Sequence, residues 1–305
     1  MILFLTRTLS GTSDIVMHIL KKRKIPAFRF NSDLFNFYKF TWENDSFKIE
    51  DPTGRVFNSK NLKYLICYKG LCTIDEPLSF DNTHTELKWL KSWLNNLYFC
   101  IVKNALLQNK VKLWYPDECD FPKTYQMSVA KKFFSVPDFK LHWGYDLPEK
   151  EVIVKSLTSR CFDNGDCFYV KKINQSTLDK NYPWFTQDIA DGNRDATVLY
   201  INGKVHCFQF ATQRKELIDW RITQGTPRNK WKKWDAGKDF ENRIDGYMKA
   251  MNLKFGRLDF IIGGKEPQFL EVNPSGQFGW LDDRKFTLHN EVVDAILDES
   301  TIIKL

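Results

Sequence analysis

The chain has 305 residues, 43% of them apolar and 15% aromatic (25 Phe, 10 Trp, 11 Tyr), with a formal net charge of +7. That length allows one large domain or two to three small ones, and the apolar content can fill their cores, which excludes wholesale disorder. The basic balance fits either ordinary solubility or an anionic partner.

Ile2–Leu5 has the pattern of a short buried strand. Ser10-Gly11-Thr12-Ser13-Asp14 supplies a turn and helix caps, and Ile15, Val16, Ile19 and Leu20 follow at helical spacing. The basic run Lys21–Lys24 suits a helix C-terminus, and Ala27–Phe30 reads as a second strand, so the chain opens as a βαβ unit. Residues 36–72 read as short strands broken by turns at Asn44-Asp45 and Pro52-Thr53-Gly54. Thr83–Leu107 is helical and rich in Leu and Trp, and Leu113–Tyr115 reads as a strand. Pro116 and Pro122 bracket an acidic turn that marks the first domain boundary.

Beyond that boundary, Lys123–Phe134 reads as a helix. Glu151–Val154 and Phe168–Ile173 read as strands around a polar loop. Ala196–Ile201 and Lys204–Phe210 form a hairpin across Asn202-Gly203. Asp239–Leu253 is a helix, Phe255–Ile262 and Gln268–Asn273 form a second hairpin, and His289–Leu297 is the last helix. The seven cysteines (67, 72, 100, 119, 161, 167, 207) show no C-x-x-C spacing, and the five histidines are scattered, so reduced thiols are expected and a zinc site is not. The N-terminal apolar run is too short for a signal peptide, and no segment reaches the ~18 apolar residues of a membrane span. A soluble, cytoplasmic protein is expected.

The second hairpin carries chemistry. If it is symmetric about Lys265, Asp259 lies opposite Glu271 and Arg257 opposite Asn273. Directly opposed side chains share a face, so Asp259, Glu271 and Asn273 converge. Two opposed carboxylates destabilise a sheet unless something neutralises them. A hard divalent cation does so and accepts carboxylate and amide oxygens. The plain alternative is a solvated hairpin in which Arg257 pairs with either acid. A register slip of one residue would undo the convergence.

The segment FGRLDFIIGGKEPQFLEVNPSGQFGW resembles the C-terminal signature of ATP-grasp ligases. There the acids and the amide hold Mg²⁺ and the ATP phosphates, which implies Asp259, Glu271 and Asn273 as metal ligands. FPKTYQMSVAKKFF and EVIVKSL resemble the segments whose lysines contact phosphate, implying Lys123 and Lys155. WFTQDIADGNRDATVLYINGKV resembles the adenine hinge, implying that Gln187, Asp188 and Ile189 edge the base and ribose, with Asp195 nearby. ELIDWRIT and NPSGQFGWLD are similar to the microviridin-type, or graspetide, enzymes that cyclise ribosomal peptides. The motifs run over about residues 116–300. Lys155-Ser156 replaces the usual Lys-Pro, the loop after it has only Gly165, and Thr197 stands where many relatives have Arg, with Arg194 shortly before.

The resemblance implies an α/β (α+β) ATP-grasp fold. A pre-ATP-grasp βαβ domain would occupy 1–115, a small central lid 116–190, and a C-terminal antiparallel-sheet domain with the metal site 191–305. It implies ATP and Mg²⁺ as cofactors and an acidic ribosomal precursor peptide, leader and core, as partner; a homodimer is left open. The implied reaction is phosphorylation of a side-chain carboxylate, then attack by a hydroxyl or amine to close an ω-ester or ω-amide. Arg221 would hold the transferring phosphoryl, and Asp219 would orient it or take a proton from the nucleophile. Residues 214–238 hold eight Lys/Arg against three Asp/Glu. Arg214, Lys215, Arg228, Lys230, Lys232 and Lys233 there suit an acidic peptide, in preference to nucleic acid. The competing readings are a ligase joining an amino acid to a small acid or peptide terminus, and a nucleotide- or nucleic-acid-binding protein without turnover.

Overall fold

The computed structural model describes residues 1–70, 84–116, 121–155, 157, 171–211 and 230–304. Contacts divide the chain into two compact units, Met1–Asp117 with Gln277–Leu305, and Glu118–Gly276.

The first unit opens with strand β1 (Ile2–Thr6), helix α1 (Gly11–Lys22) and strand β2 (Ala27–Asn31). The Ser10 hydroxyl accepts from the Ser13 amide, Asp14 sits in the first turn and Lys21 and Lys22 in the last, so both helix ends match the dipole. β1 and β2 pair in parallel, as the βαβ reading requires. Strands β3 (Lys39–Glu43), β4 (Ser46–Glu50) and β5 (Val56–Asn58) form a separate antiparallel sheet. The β3–β4 turn places Asn44 at a φ of 53°. β6 (Tyr64–Cys67) returns to pair with β1 in parallel. Helix α2 (His84–Leu107) buries Tyr98, Ile101, Val102 and Ala105 in a core with Leu3, Leu5, Phe28, Phe47 and Phe57. Leu113 is not in a strand: its φ is 62°, and the two residues before it make single bridges, Val111 to Leu65 and Lys112 to Ile302.

The second unit begins with helix α3 (Lys123–Ala130), shorter than its sequence pattern because turns follow from Lys131. Strands β7 (Phe139–His142), β8 (Glu151–Lys155), β9 (Lys171–Asn174) and β10 (Trp184–Gln187) make one antiparallel sheet in the order β7-β10-β8-β9. A second, five-stranded sheet is built from β11 (Arg194–Ile201), β12 (Lys204–Phe210), β13 (Trp231–Lys233), β14 (Phe255–Ile262) and β15 (Gln268–Asn273), ordered β13-β12-β11-β14-β15. The β11–β12 turn uses Asn202 and Gly203, both at positive φ. Helix α4 (Lys238–Ala250) covers one face of this sheet, where Phe134, Phe240, Tyr247, Phe260 and Phe269 interlock with ring centroids 5.2–5.9 Å apart.

Helix α5 (Thr287–Leu297) packs on α1, so residues 277–305 group with the first unit. The three-part division expected from sequence assigns them to the C-terminal domain instead. The sequence order hides this return, because contacts follow the apolar face of α5 and not its position in the chain. No helix of the described residues is long and apolar enough to cross a membrane.

Candidate functional site

β14 and β15 pair with Arg257 opposite Asn273 and Asp259 opposite Glu271, the register expected from the hairpin. Beyond Asp259 the ladder shifts: Phe260 pairs with Phe269, leaving Leu270 without a partner. This bulge re-aims the strand. Strict alternation would put Phe269 and Glu271 on one face. With the extra residue, Phe269 stacks on Phe134 beneath the sheet, at 5.9 Å and 11°, while Glu271 points to the other side.

Three side chains therefore gather above the sheet. Asn273 Nδ2 lies 3.3 Å from Asp259 Oδ2 and 3.4 Å from Glu271 Oε1. Arg257 Nη2 donates to Asp259 Oδ2 at 3.1 Å, and Lys123 Nζ pairs with Glu271 Oε2 at 2.9 Å. Each acid thus has a cation of its own. The side chains of Lys123 and Glu271 are 20% and 25% exposed, and those of Arg257 and Asp259 are 15% and 24% exposed, so all four are screened from water but reachable. Burial alone would raise the Glu271 carboxyl. Lys123, then Lys155 and Arg257, outweigh it and hold that carboxyl down to about 2. Lys123 is the first residue of α3, the wrong end of a helix dipole for a cation, and Glu271 offsets that penalty.

α3 is fastened to β15 by a buried amide. Gln126 Oε1 accepts from Val272 N at 3.0 Å, and its Nε2 donates to Phe121 O at 2.8 Å. β11 contributes from the middle of the sheet, since Thr197 lies directly opposite Asp259. Its hydroxyl donates to Asp259 Oδ1 at 2.9 Å and lies 3.3 Å from Leu258 O. Asp195, two residues earlier, shares this face and is buried. Arg194, of opposite parity, donates to Gln209 Oε1 at 2.9 Å.

The four-stranded sheet supplies the remaining described candidates. Lys155 pairs with Phe185, and Gln187 with Ile153, so Lys155 and Gln187 share a face. Both are buried, Lys155 at 9% exposure and Gln187 at 2%, and the Gln187 Nε2 has no hydrogen-bond partner among the described residues. Asp188 follows, its amide bonded to Asp138 O at 2.7 Å and its carboxylate to Lys150 at 2.8 Å; Ile189 is exposed. The loop then packs flush on the β14–β15 turn. Asp191 N donates to Gln268 Oε1 at 2.6 Å and Asn193 N to Ile262 O at 3.0 Å. A Cβ on Gly264 would stand 2.6 Å from Asp191 Oδ2, so only glycine fits this approach.

Lys232 and Lys233 are exposed on β13, the edge strand, and Lys230 is half-buried beside it. Arg214, Lys215, Asp219, Arg221 and Arg228 lie outside the described residues. Sequence reasoning gave Thr197 no role and treated Arg257 only as an alternative partner for the acids. It missed Gln126 altogether. The signal for Thr197 was its parity with Asp195 in a strand flanking Asp259; Gln126 carried none.

The donor set suits a hard cation. Among the described residues no three His, Cys, Asp or Glu side chains group around a metal position; here two carboxylates are joined by an amide. All are oxygen-bearing, and half a turn of the Asn273 amide exchanges its nitrogen for its oxygen. Lys123, Lys155 and Arg257 concentrate positive charge around Glu271, and the Gln187 amide nitrogen is a buried donor with no partner among the described residues.

No protein-family model and no curated protein sequence matches the chain. Solved structures do. The macrocyclase MdnC bound with precursor peptide MdnA, from Microcystis aeruginosa MRC, superposes with a TM-score of 0.79 at 16% identity over 97% of this chain and 99% of that one. A RiPP-associated ATP-grasp ligase from Chryseobacterium gregarium, in complex with ADP and a leader and core peptide, gives 0.80 at 18% identity over 98% and 96%. The ATP-grasp ligase PsnB complexed with minimal precursor, Mg and ADP gives 0.67 at 13% identity over 98% and 97%. The chain has the ATP-grasp fold.

Proposed function

We propose that this chain is an ATP-dependent ligase that activates side-chain carboxylates of a ribosomal precursor peptide as acyl phosphates and closes intramolecular ω-ester or ω-amide crosslinks. The observation that carries the reading is the convergence of Asp259, Glu271 and Asn273 on one sheet face with Lys123 at 2.9 Å from Glu271. Likeness to peptide-bound ligases over nearly the whole chain supports it.

A carboxylate is a poor electrophile, and phosphorylation makes it a good one. A substrate carboxylate oxygen bonds to the γ-phosphorus as the bond to ADP breaks. A hydroxyl or amine then attacks the acyl carbon, loses a proton, and phosphate leaves. The protein has to position these groups and offset charge on the phosphoryl oxygens. Asp259, Glu271 and Asn273 would hold Mg²⁺, which when bound neutralises phosphate charge. Lys123 and Lys155 bring point charge to the phosphates, and burial of Lys155 strengthens its effect. Gln187 presents to the base an amide nitrogen with no partner among the described residues, Asp188 and Ile189 edge the ribose and base, and Asp195 is assigned to the same nucleotide. Arg221 is assigned the transferring phosphoryl, with Asp219 as its orienting or proton-accepting neighbour. Arg214, Lys215, Arg228, Lys230, Lys232 and Lys233 are assigned to docking of an acidic peptide.

Product mass decides the reading. With ATP, Mg²⁺ and an acidic Ser/Thr/Lys-containing precursor, the product is lighter by one water per ring. A product heavier by an amino-acid residue would mean intermolecular ligation, and ATP hydrolysis indifferent to any acceptor would remove the peptide from the account. In the same assay, Lys232→Glu with Lys233→Glu raises the peptide KM; an unchanged KM removes these two lysines from the docking surface.

A further inference from the structure

Asp259 is held at both oxygens, and the two are held differently. Oδ2 receives Arg257 Nη2 at 3.1 Å and Asn273 Nδ2 at 3.3 Å. Oδ1 receives the Thr197 hydroxyl at 2.9 Å. Thr197 is 2% exposed, in the central strand of a five-stranded sheet, directly across from Asp259. A hydroxyl has one proton. The shorter contact and the charged acceptor favour its donation to Asp259 over Leu258 O at 3.3 Å.

From this geometry we infer that Thr197 is a positioning residue for the metal ligand Asp259. Arg257 and Asn273 both approach Oδ2. Thr197 is β-branched and stiff at χ1, and its backbone is paired on both sides, to Phe208 and to Asp259. Its hydroxyl therefore fixes the rotation of the Asp259 carboxylate plane. It occupies one lone pair of Oδ1, while Arg257 and Asn273 approach Oδ2. Because Thr197 is neutral, this orientation is gained without adding a cation that would compete with a bound metal ion. Groups that orient metal-binding side chains in this way are worth about 10–100-fold in metal affinity.

The inference rests on the reading of Asp259, Glu271 and Asn273 as the metal site, and the experiment separates the two. Mn²⁺ binding in the presence of ADP is followed by electron paramagnetic resonance for wild type, Thr197→Val and Thr197→Ser. ADP binding in EDTA and urea unfolding midpoints without metal serve as references. Thr197→Val, which keeps the shape and deletes the donor, weakens Mn²⁺ by about 10–100-fold while metal-free ADP binding is retained. Thr197→Ser, which restores the hydroxyl, returns affinity close to wild type. Equal Mn²⁺ affinity in Thr197→Val and wild type overturns the role of Thr197 alone. So does a loss in Thr197→Val that Thr197→Ser shares in full, since packing and not the hydroxyl would then be responsible. Wild type that binds ADP but no Mn²⁺ beside it overturns both the inference and the metal reading beneath it.

Discussion

Asn273 is the side chain on which the candidate site turns, because it touches both acids while carrying no charge. Truncating it leaves Asp259 and Glu271 facing each other with one fewer bridging group. Asn273→Ala is expected to lower kcat for acceptor-dependent ATP hydrolysis by about 10²–10³-fold, the scale of losing one electrostatic contact to a reacting centre. Activity within a few-fold of wild type would place the chemistry elsewhere. Strand parity made Glu271 and Asn273 legible as same-face neighbours, while Asp259 joined them only through the assumed symmetry about Lys265; in the structure it is the bulge at Leu270 that sets Asp259 opposite Glu271. Lys123 and Lys155 were legible only through resemblance, since a lysine at a helix start or strand end has many ordinary reasons to be there. Thr197 was noticed as a departure and not as a donor, because a threonine in a buried strand carries no distinctive pattern of its own.

Among the elements, hairpins and capped helices matched their sequence patterns most closely. β12, β14 and β15 have the expected bounds, since Asn202-Gly203 and Gly263-Gly264 leave little freedom in the turns. β7, β10 and β13 were not anticipated: they have three or four residues each, too few to display a period. The Leu270 bulge was invisible, because it depends on Phe269 finding Phe134. The start of α5 shows how much a distant side chain contributes. Asp282, 6% exposed, accepts from Leu288 N at 2.9 Å, His289 N at 3.1 Å and the His289 ring. Burial would raise its carboxyl, but the bonds from the His289 ring and the Leu288 and His289 amides outweigh it and hold it below the usual carboxylate range. A depressed folded value contributes stability above the unfolded pKa of about 3.9 that is lost as pH falls through the folded one. Asp282→Asn should therefore cost about 3 kcal/mol at pH 7, and the gap should close as pH falls below about 4, read from urea midpoints. A gap independent of pH would mean that shape, not charge, anchors α5.

For the molecule as a whole, the opening βαβ unit and the later antiparallel hairpins were readable in order, while the return of residues 277–305 to the first unit was not. Chain order is visible in a sequence; which distant apolar faces meet is not. The two sheets of the second unit each present half of the proposed nucleotide site. Lys155 and Gln187 come from one, and Asp259, Glu271 and Asn273 from the other, with Lys123 delivered by α3. The loop after Gln187 is pinned to the β14–β15 hairpin through Asp191 and Gln268, so the two halves of the proposed site belong to one hydrogen-bonded framework. The most direct measurement is a crystal structure with ADP and Mg²⁺ bound. It should show an ion about 2.0–2.1 Å from oxygens of Asp259, Glu271 and Asn273, the last through its rotated amide, with the diphosphate on the same ion. Nucleotide bound with Lys123 still paired to Glu271, and no ion among these oxygens, would contradict the account.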